Sequence, residues 1–215
     1  DNDGKNSFSR VAQTMANGEW IADTKEPVVE ISYDAETHHF IYNVEVWFKS
    51  REIKKNSVNV EWKVLRDGIT DEYESGHFNN GDKIYVTLKA ARKGYCAAYM
   101  LDIKDDVGLM IPYKENVDGY HEIQANVRNV FPDDNHGPYY MRTDYDIEND
   151  YVCFIYSPNK FTKCVGERGD YRHPEKVNVA KFDKWLGEIR MMDPDMTVEW
   201  IPITIVNPSP TKERY

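Results

Sequence analysis

The sequence predicts a mainly β protein, an antiparallel β-sandwich with one amphipathic helix near its C-terminus, and three observations carry that expectation. The first is the run from Gly81 to Pro112. Gly81-Asp82 opens a strict alternation that puts Ile84, Val86, Leu88 and Ala90 on one face and Tyr85, Thr87 and Lys89 on the other, the pattern of a half-buried strand. After the Arg92-Lys93-Gly94 turn, Tyr95 to Ile103 is apolar on both faces, and Leu109-Met110-Ile111-Pro112 follows a polar turn. Such an order reads as a meander feeding the centre of a sheet. The second observation is the aromatic content, 15 Tyr, 8 Phe and 5 Trp, which favours strands. The third is that helical spacing is strong in one place, where Val179, Phe182, Leu186 and Ile189 are joined by Trp185 and Met192.

Taken in order, residues 1–26 are expected to form a polar tail and a short helix, with Ser7 placed to cap and Phe8, Val11, Met15, Trp20 and Ile21 supplying its apolar positions. Residues 27–206 then form a single β-rich domain. Val28 to Tyr33 and the alternation Phe40, Tyr42, Val44, Val46, Phe48 are the clearest two-strand signal, with the turn at residues 34 to 39. Val58, Val60, Trp62 and Val64 repeat the pattern ahead of a turn at Arg66-Asp67-Gly68. Residues 74 to 80 are loop-like and do not mark a domain boundary. Tyr120 to Val127 alternates as an edge strand would, whereas Tyr151 to Pro158 is apolar on both faces and belongs at a sheet centre. A helix from Val179 to Met192 is capped by Asn178 and closed by Pro194. Met196 to Val206 returns to β with Ile201, Ile203 and Ile205 on one face, and Pro202 makes that strand an edge or a bulge. Residues 207–215 are a tail.

At 215 residues the chain is long enough to bury roughly 70% of the surface its unfolded form exposes. A formal charge of −10 argues against nucleic acid as a partner, because such binding rests on neutralised phosphates. No apolar run approaches the ~20 residues of a membrane helix, so no integral membrane segment is expected. Asp1 is not an initiator methionine. A longer precursor with a removed secretory signal is one account, and a position inside a multidomain chain is the other. Cys96 and Cys153 sit in apolar runs as small hydrophobes, Cys164 lies in a polar segment, and spacing permits a Cys153–Cys164 bridge without requiring one.

The segments Phe78-Asn79-Asn80-Gly81-Asp82, Leu109 to Pro112 and Tyr151 to Pro158 resemble an uncharacterised bacterial domain-of-unknown-function family found beside caspase-like peptidases, protein kinases and envelope proteins. In that family a Gly-Asp opens a strand, a strand ends in an aliphatic-Pro step and a late strand ends near Ser-x-x-Pro; Gly81-Asp82, Ile111-Pro112 and Ser157-Pro158 stand at those places. Ser157 and Pro158 are adjacent here, a departure from the family spacing. The resemblance covers residues 78–165. It implies an accessory or sensing role at a periplasmic, cell-surface or secreted location, and brings no catalytic residues or cofactor with it.

Chemistry-bearing residues are few. The acidic segment Pro132 to Asp150 includes Asp144, Asp146 and Glu148 as candidate calcium ligands, but the ordered spacing and central glycine of an EF-hand loop are missing, and the plain alternative is a solvated loop. Cys164, Asp170 and His173 would be the nucleophile, orienter and base of a hydrolase, although no peptidase signature surrounds them. Tyr113, Tyr120, Tyr139 and Tyr140 flank loops, where they would stack on a glycan or anchor a protein partner. Phosphate-binding glycine loops and zinc spacings are absent from the sequence. The expectation is therefore a non-catalytic interaction or ligand-recognition protein that needs no cofactor, with a carbohydrate-binding module and a hydrolase as the alternatives.

Overall fold

A computed structural model describes residues 18–36, 38–52, 58–102, 106–111, 120–164 and 176–208. The chain divides into two compact units, Asp1–Lys54 and Lys55–Tyr215, where the sequence suggested one β-rich domain from residue 27 onward. The described part of the first unit is a hairpin of β1 (Gly18–Asp34) and β2 (His39–Glu52). Of the helix expected over residues 7–22, Gly18 to Ala22 are strand instead and the remainder lies outside the described residues. Pairing with β2 decides this, since Trp20 stands opposite Ser50 and Ala22 opposite Lys49.

The second unit is a β-sandwich. Its smaller sheet holds β3 (Val60–Arg66), β5 (Lys83–Ala90), β9 (Asn129–Phe131) and β10 (Tyr139–Tyr140). Its larger sheet holds β4 (His77–Asn79), β6 (Gly94–Leu101), β7 (Asp106–Ile111), β8 (His121–Ile123), β11 (Ile147–Ser157), β12 (Lys176–Asn178) and β13 (Thr197–Val206). The strand order there is β12-β7-β6-β11-β13-β4, with β8 also on β6. Every described pairing is antiparallel except that of β13 with β4.

Two apolar layers explain why the central strands read as apolar throughout. Between the sheets lie Trp62, Val64, Ile84, Val86 and Leu88 from one side and Cys96, Ala98, Val152, Phe154, Tyr156, Ile203 and Ile205 from the other. Trp62 stacks on Phe154 with ring centroids 4.5 Å apart. On the opposite face of the larger sheet Ala97, Tyr99, Leu101, Cys153 and Ile155 pack with Val179, Phe182, Leu186 and Ile189 of the helix α1 (Val179–Met192). Alternate residues of β6 and β11 thus enter different cores, as a period of two demands. Met110 and Ile111 both face the inter-sheet layer because the β6–β7 register shifts between Ala98 and Tyr99.

The helix begins where its cap predicts, with Asn178 Oδ1 accepting the Ala180 N–H at 2.9 Å. It ends at Asp193, whose N–H donates to Ile189 O. The Asp193 carboxylate accepts from the Ser157 hydroxyl, and its Oδ1 accepts from Asn159 Nδ2 at 3.2 Å and the Asp195 N–H at 3.0 Å. That carboxylate fastens the helix end to the end of β11. Two sequence expectations need adjustment. The strand anticipated over Tyr120–Val127 stops at Ile123, because Asn126 takes a left-handed conformation (φ 59°) and donates its N–H to Ala90 O. At Pro202 the missing N–H falls on the side of β13 where β4 lies, and β4 begins its ladder pairing only at Thr204, so no ladder hydrogen bond is lost there.

Candidate functional site

The hairpin and the sandwich treat apolar side chains in opposite ways. In the hairpin register Val29 stands opposite Val44, Ile31 opposite Tyr42 and Tyr33 opposite Phe40, three apolar pairs in succession on one face of a two-stranded ribbon. Ile31 is 61% exposed and Phe40 63%. The Tyr33 and Phe40 rings touch at a centroid distance of 5.1 Å. The other face is mixed, pairing Glu30 with Asn43, Ser32 with Ile41 and Asp34 with His39. The turn is fixed locally, with Asp34 Oδ1 accepting the Glu36 N–H at 2.9 Å, His38 left-handed at φ 57°, and Tyr33 Oη 3.0 Å from His38 Nδ1. Val28 and Ile41 are exposed on that other face, but the continuous strip of Val29, Ile31, Tyr33 and Phe40 is the ordinary signature of a surface that meets another surface.

The residues singled out from the sequence are placed as follows. Tyr113, Asp170 and His173 lie outside the described residues. Tyr120 is half-buried and engaged with Tyr95 (4.8 Å), Phe161 (5.9 Å) and Lys160 Nζ (5.6 Å). Tyr139 donates its hydroxyl to Met110 O at 3.2 Å. Tyr140 is exposed at the end of β10. Two of the described tyrosines are thus committed to packing and one presents its ring. Asp144 and Asp146 are exposed, whereas Glu148 is 6% exposed. They do not converge, and among the described residues no three His, Cys, Asp or Glu side chains gather around a point that would hold a metal ion.

Cys164 is buried in the layer between sheet and helix, not in an open loop. Cys96, Cys153 and Cys164 are all buried thiols with no disulfide joining them, and burial pushes the Cys96 thiol far above its ordinary range. A buried thiol is a packing group rather than a nucleophile. The exposed loop after β9 holds one His–Asp contact, His136 Nδ1 to Asp133 Oδ1 at 2.6 Å. Desolvation acts upward on Asp133, but hydrogen bonds from His136 and Asn135 outweigh it and hold its carboxyl below the usual range.

A charged groove of about 230 Å³ that no sequence pattern marks lies on the outer face of the smaller sheet, lined by Glu61, Lys63, Asp71, Thr87, Lys89 and Arg128 among others. Lys63 Nζ lies 3.1 Å from Asp71 and 3.0 Å from Glu74, and Arg128 lies 3.1 Å from Asp71. The bonds to Glu74 and Asp71 raise the Lys63 amine, and the Lys63 bond lowers Asp71. Lys63 and Arg128 are each answered by a carboxylate, so this part of the groove is an internally satisfied network. Its members come from separate segments of sequence, and no local pattern marks them.

The motif positions of the resemblance fall at strand ends: Gly81, at φ 98°, precedes β5, Ile111 closes β7 and Ser157 closes β11. The chain matches no protein-family model, no curated protein and no solved structure. Among the described residues no helix is long and apolar enough to cross a membrane.

Proposed function

We propose that this is a non-catalytic interaction protein, secreted or held at the bacterial cell envelope, that recognises a protein partner through the apolar face of the β1–β2 hairpin. The observation that supports it is the exposed cross-strand ladder of Val29, Ile31, Tyr33 and Phe40. A two-stranded hairpin is marginally stable in water and gains most from a third strand or an apolar surface laid against it. Opposing the hydrolase reading, Cys164, its sequence-proposed nucleophile, is buried. The bacterial envelope setting is supported by the motif resemblance at Gly81-Asp82, Ile111-Pro112 and Ser157-Pro158.

The test is quantitative capture from native-host extract by the immobilised chain, with Ile31→Lys and Phe40→Lys as matched baits. One saturable protein that the wild type retains and both variants lose supports the reading. Equal capture by all three baits removes the hairpin face from it, and an empty result from every bait defeats it.

A further inference from the structure

The two edges of the hairpin differ as much as its two faces. The register shifts three times, between Trp20 and Ala22, Asp23 and Lys25, and Lys25 and Val28, and each shift inserts its extra residue into β1. Pro27 adds a position with no N–H to offer. Bulges and proline are how an edge is made unfit for further pairing. By contrast, β2 runs from His39 to Glu52 without bulge, glycine or proline, and among the described residues it pairs with β1 alone. A long, regular edge is a template for another strand.

We propose that the occupant is a second copy of this chain, its β2 lying antiparallel to the first about a two-fold axis through Trp47, so that two hairpins become one four-stranded sheet. An axis normal to the sheet keeps each face with its counterpart, so residues of like parity meet across the seam. Charge and apolar pairing together select the register. Centring on Glu45 sets two carboxylates face to face, and centring on Val46 sets Glu45 against Trp47. Centring on Phe48 opposes Glu45 with Arg51, but it sets Val46 against Ser50 and Trp47 against Lys49. Centring on Trp47 places Glu45 of each copy opposite Lys49 of the other, Asn43 opposite Arg51, and Val46 opposite Phe48. Two opposite-charge pairs and two apolar pairs therefore flank the axis, and each is a favourable cross-strand combination. The same assembly doubles the apolar face, since Phe40, Tyr42, Val44, Val46 and Phe48 share one parity along β2.

Sedimentation equilibrium of the full chain over a wide concentration range tests this, with Glu45→Lys and the double variant Glu45→Lys/Lys49→Glu alongside. The expected result is a wild-type dimer, dimerisation weakened about tenfold or more in Glu45→Lys, and recovery in the charge-swapped double variant, which also shows that the single variant still folds. A wild type that stays monomeric throughout overturns the proposal, as does a dimer that Glu45→Lys leaves intact. Partner capture is scored separately: a monomer that still captures its partner through the Ile31 face sinks the dimer alone, and a dimer that captures nothing sinks the partner reading alone.

Discussion

Strand β11 and the hairpin are built from the same kinds of residue and meet opposite fates. From Val152 to Tyr156 of β11 both faces are apolar and both are covered, Phe154 by the smaller sheet and Ile155 by the layer that includes the helix, and both are 0% exposed. In the hairpin Ile31 and Phe40 stand in an equally regular alternation and remain more than half exposed. Alternation thus tells which residues make a strand and which share a face. It does not tell what lies against that face.

The sharpest way to break the comparison is to remove one ring from each region. Phe154→Ala leaves a cavity beneath Trp62 and is expected to cost about 3–5 kcal/mol in urea unfolding. Phe40→Ala, at an exposed position, is expected to stay within about 0.5 kcal/mol. Near-equal losses would show that the hairpin face is as well covered as the sandwich core and would remove the basis for an interaction surface.

Next in size is Gly94→Ala. A Cβ there would lie 2.5 Å from Ser157 O and 2.7 Å from the Tyr156 ring, and a backbone carbonyl held in a central strand yields little. A loss of about 1–3 kcal/mol is expected from this overpacking. A neutral result would mean that β6 and β11 are held less tightly than their continuous pairing implies.

Asn178→Ala removes the helix cap and is expected to cost about 1 kcal/mol, with Asn178→Asp retaining most of the stability. Hydrogen exchange localises the effect: the first turn of α1 should lose protection while the hairpin amides do not change. Exchange that rises in both regions together would contradict their division into separate units.

The legibility of the chain follows from the same contrast. The helix from Val179 to Met192, its Asn178 cap, the inward face of β5 and the two-faced character of β6 and β11 were readable because each depends on a local period or a local hydrogen bond. Strands β9 and β10 were not, since three and two residues are too short to display a period and are held by β5 from elsewhere in the sequence. Trp20 and Ile21 fit a helix as well as a strand because five apolar residues spread over sixteen positions suit more than one period. Among candidate site residues, the tyrosines were identified as aromatic groups near loops, but their partners, Tyr95 and Phe161 for Tyr120 and Met110 for Tyr139, are distant in sequence. The hairpin strip was legible as a strand pattern, and its exposure was not.

The smallest expected effect separates the units by pH. His121 is half-buried, with its ring against Phe131 at 4.9 Å. Burial lowers its pKa below the ordinary 6.5, against the opposing pull of Asp133 and Glu122. Between the depressed folded value and 6.5 the unfolded chain binds more protons than the folded one, so sandwich stability rises with pH through that window and declines as pH falls below 6.5. Because the ring is partly exposed, the slope is shallow. His121→Gln should flatten it, read as the difference between urea midpoints at pH 7.5 and pH 5 in variant and wild type. Identical slopes would place the acid sensitivity elsewhere and would mean that the ring is as well solvated in the folded chain as in the unfolded one.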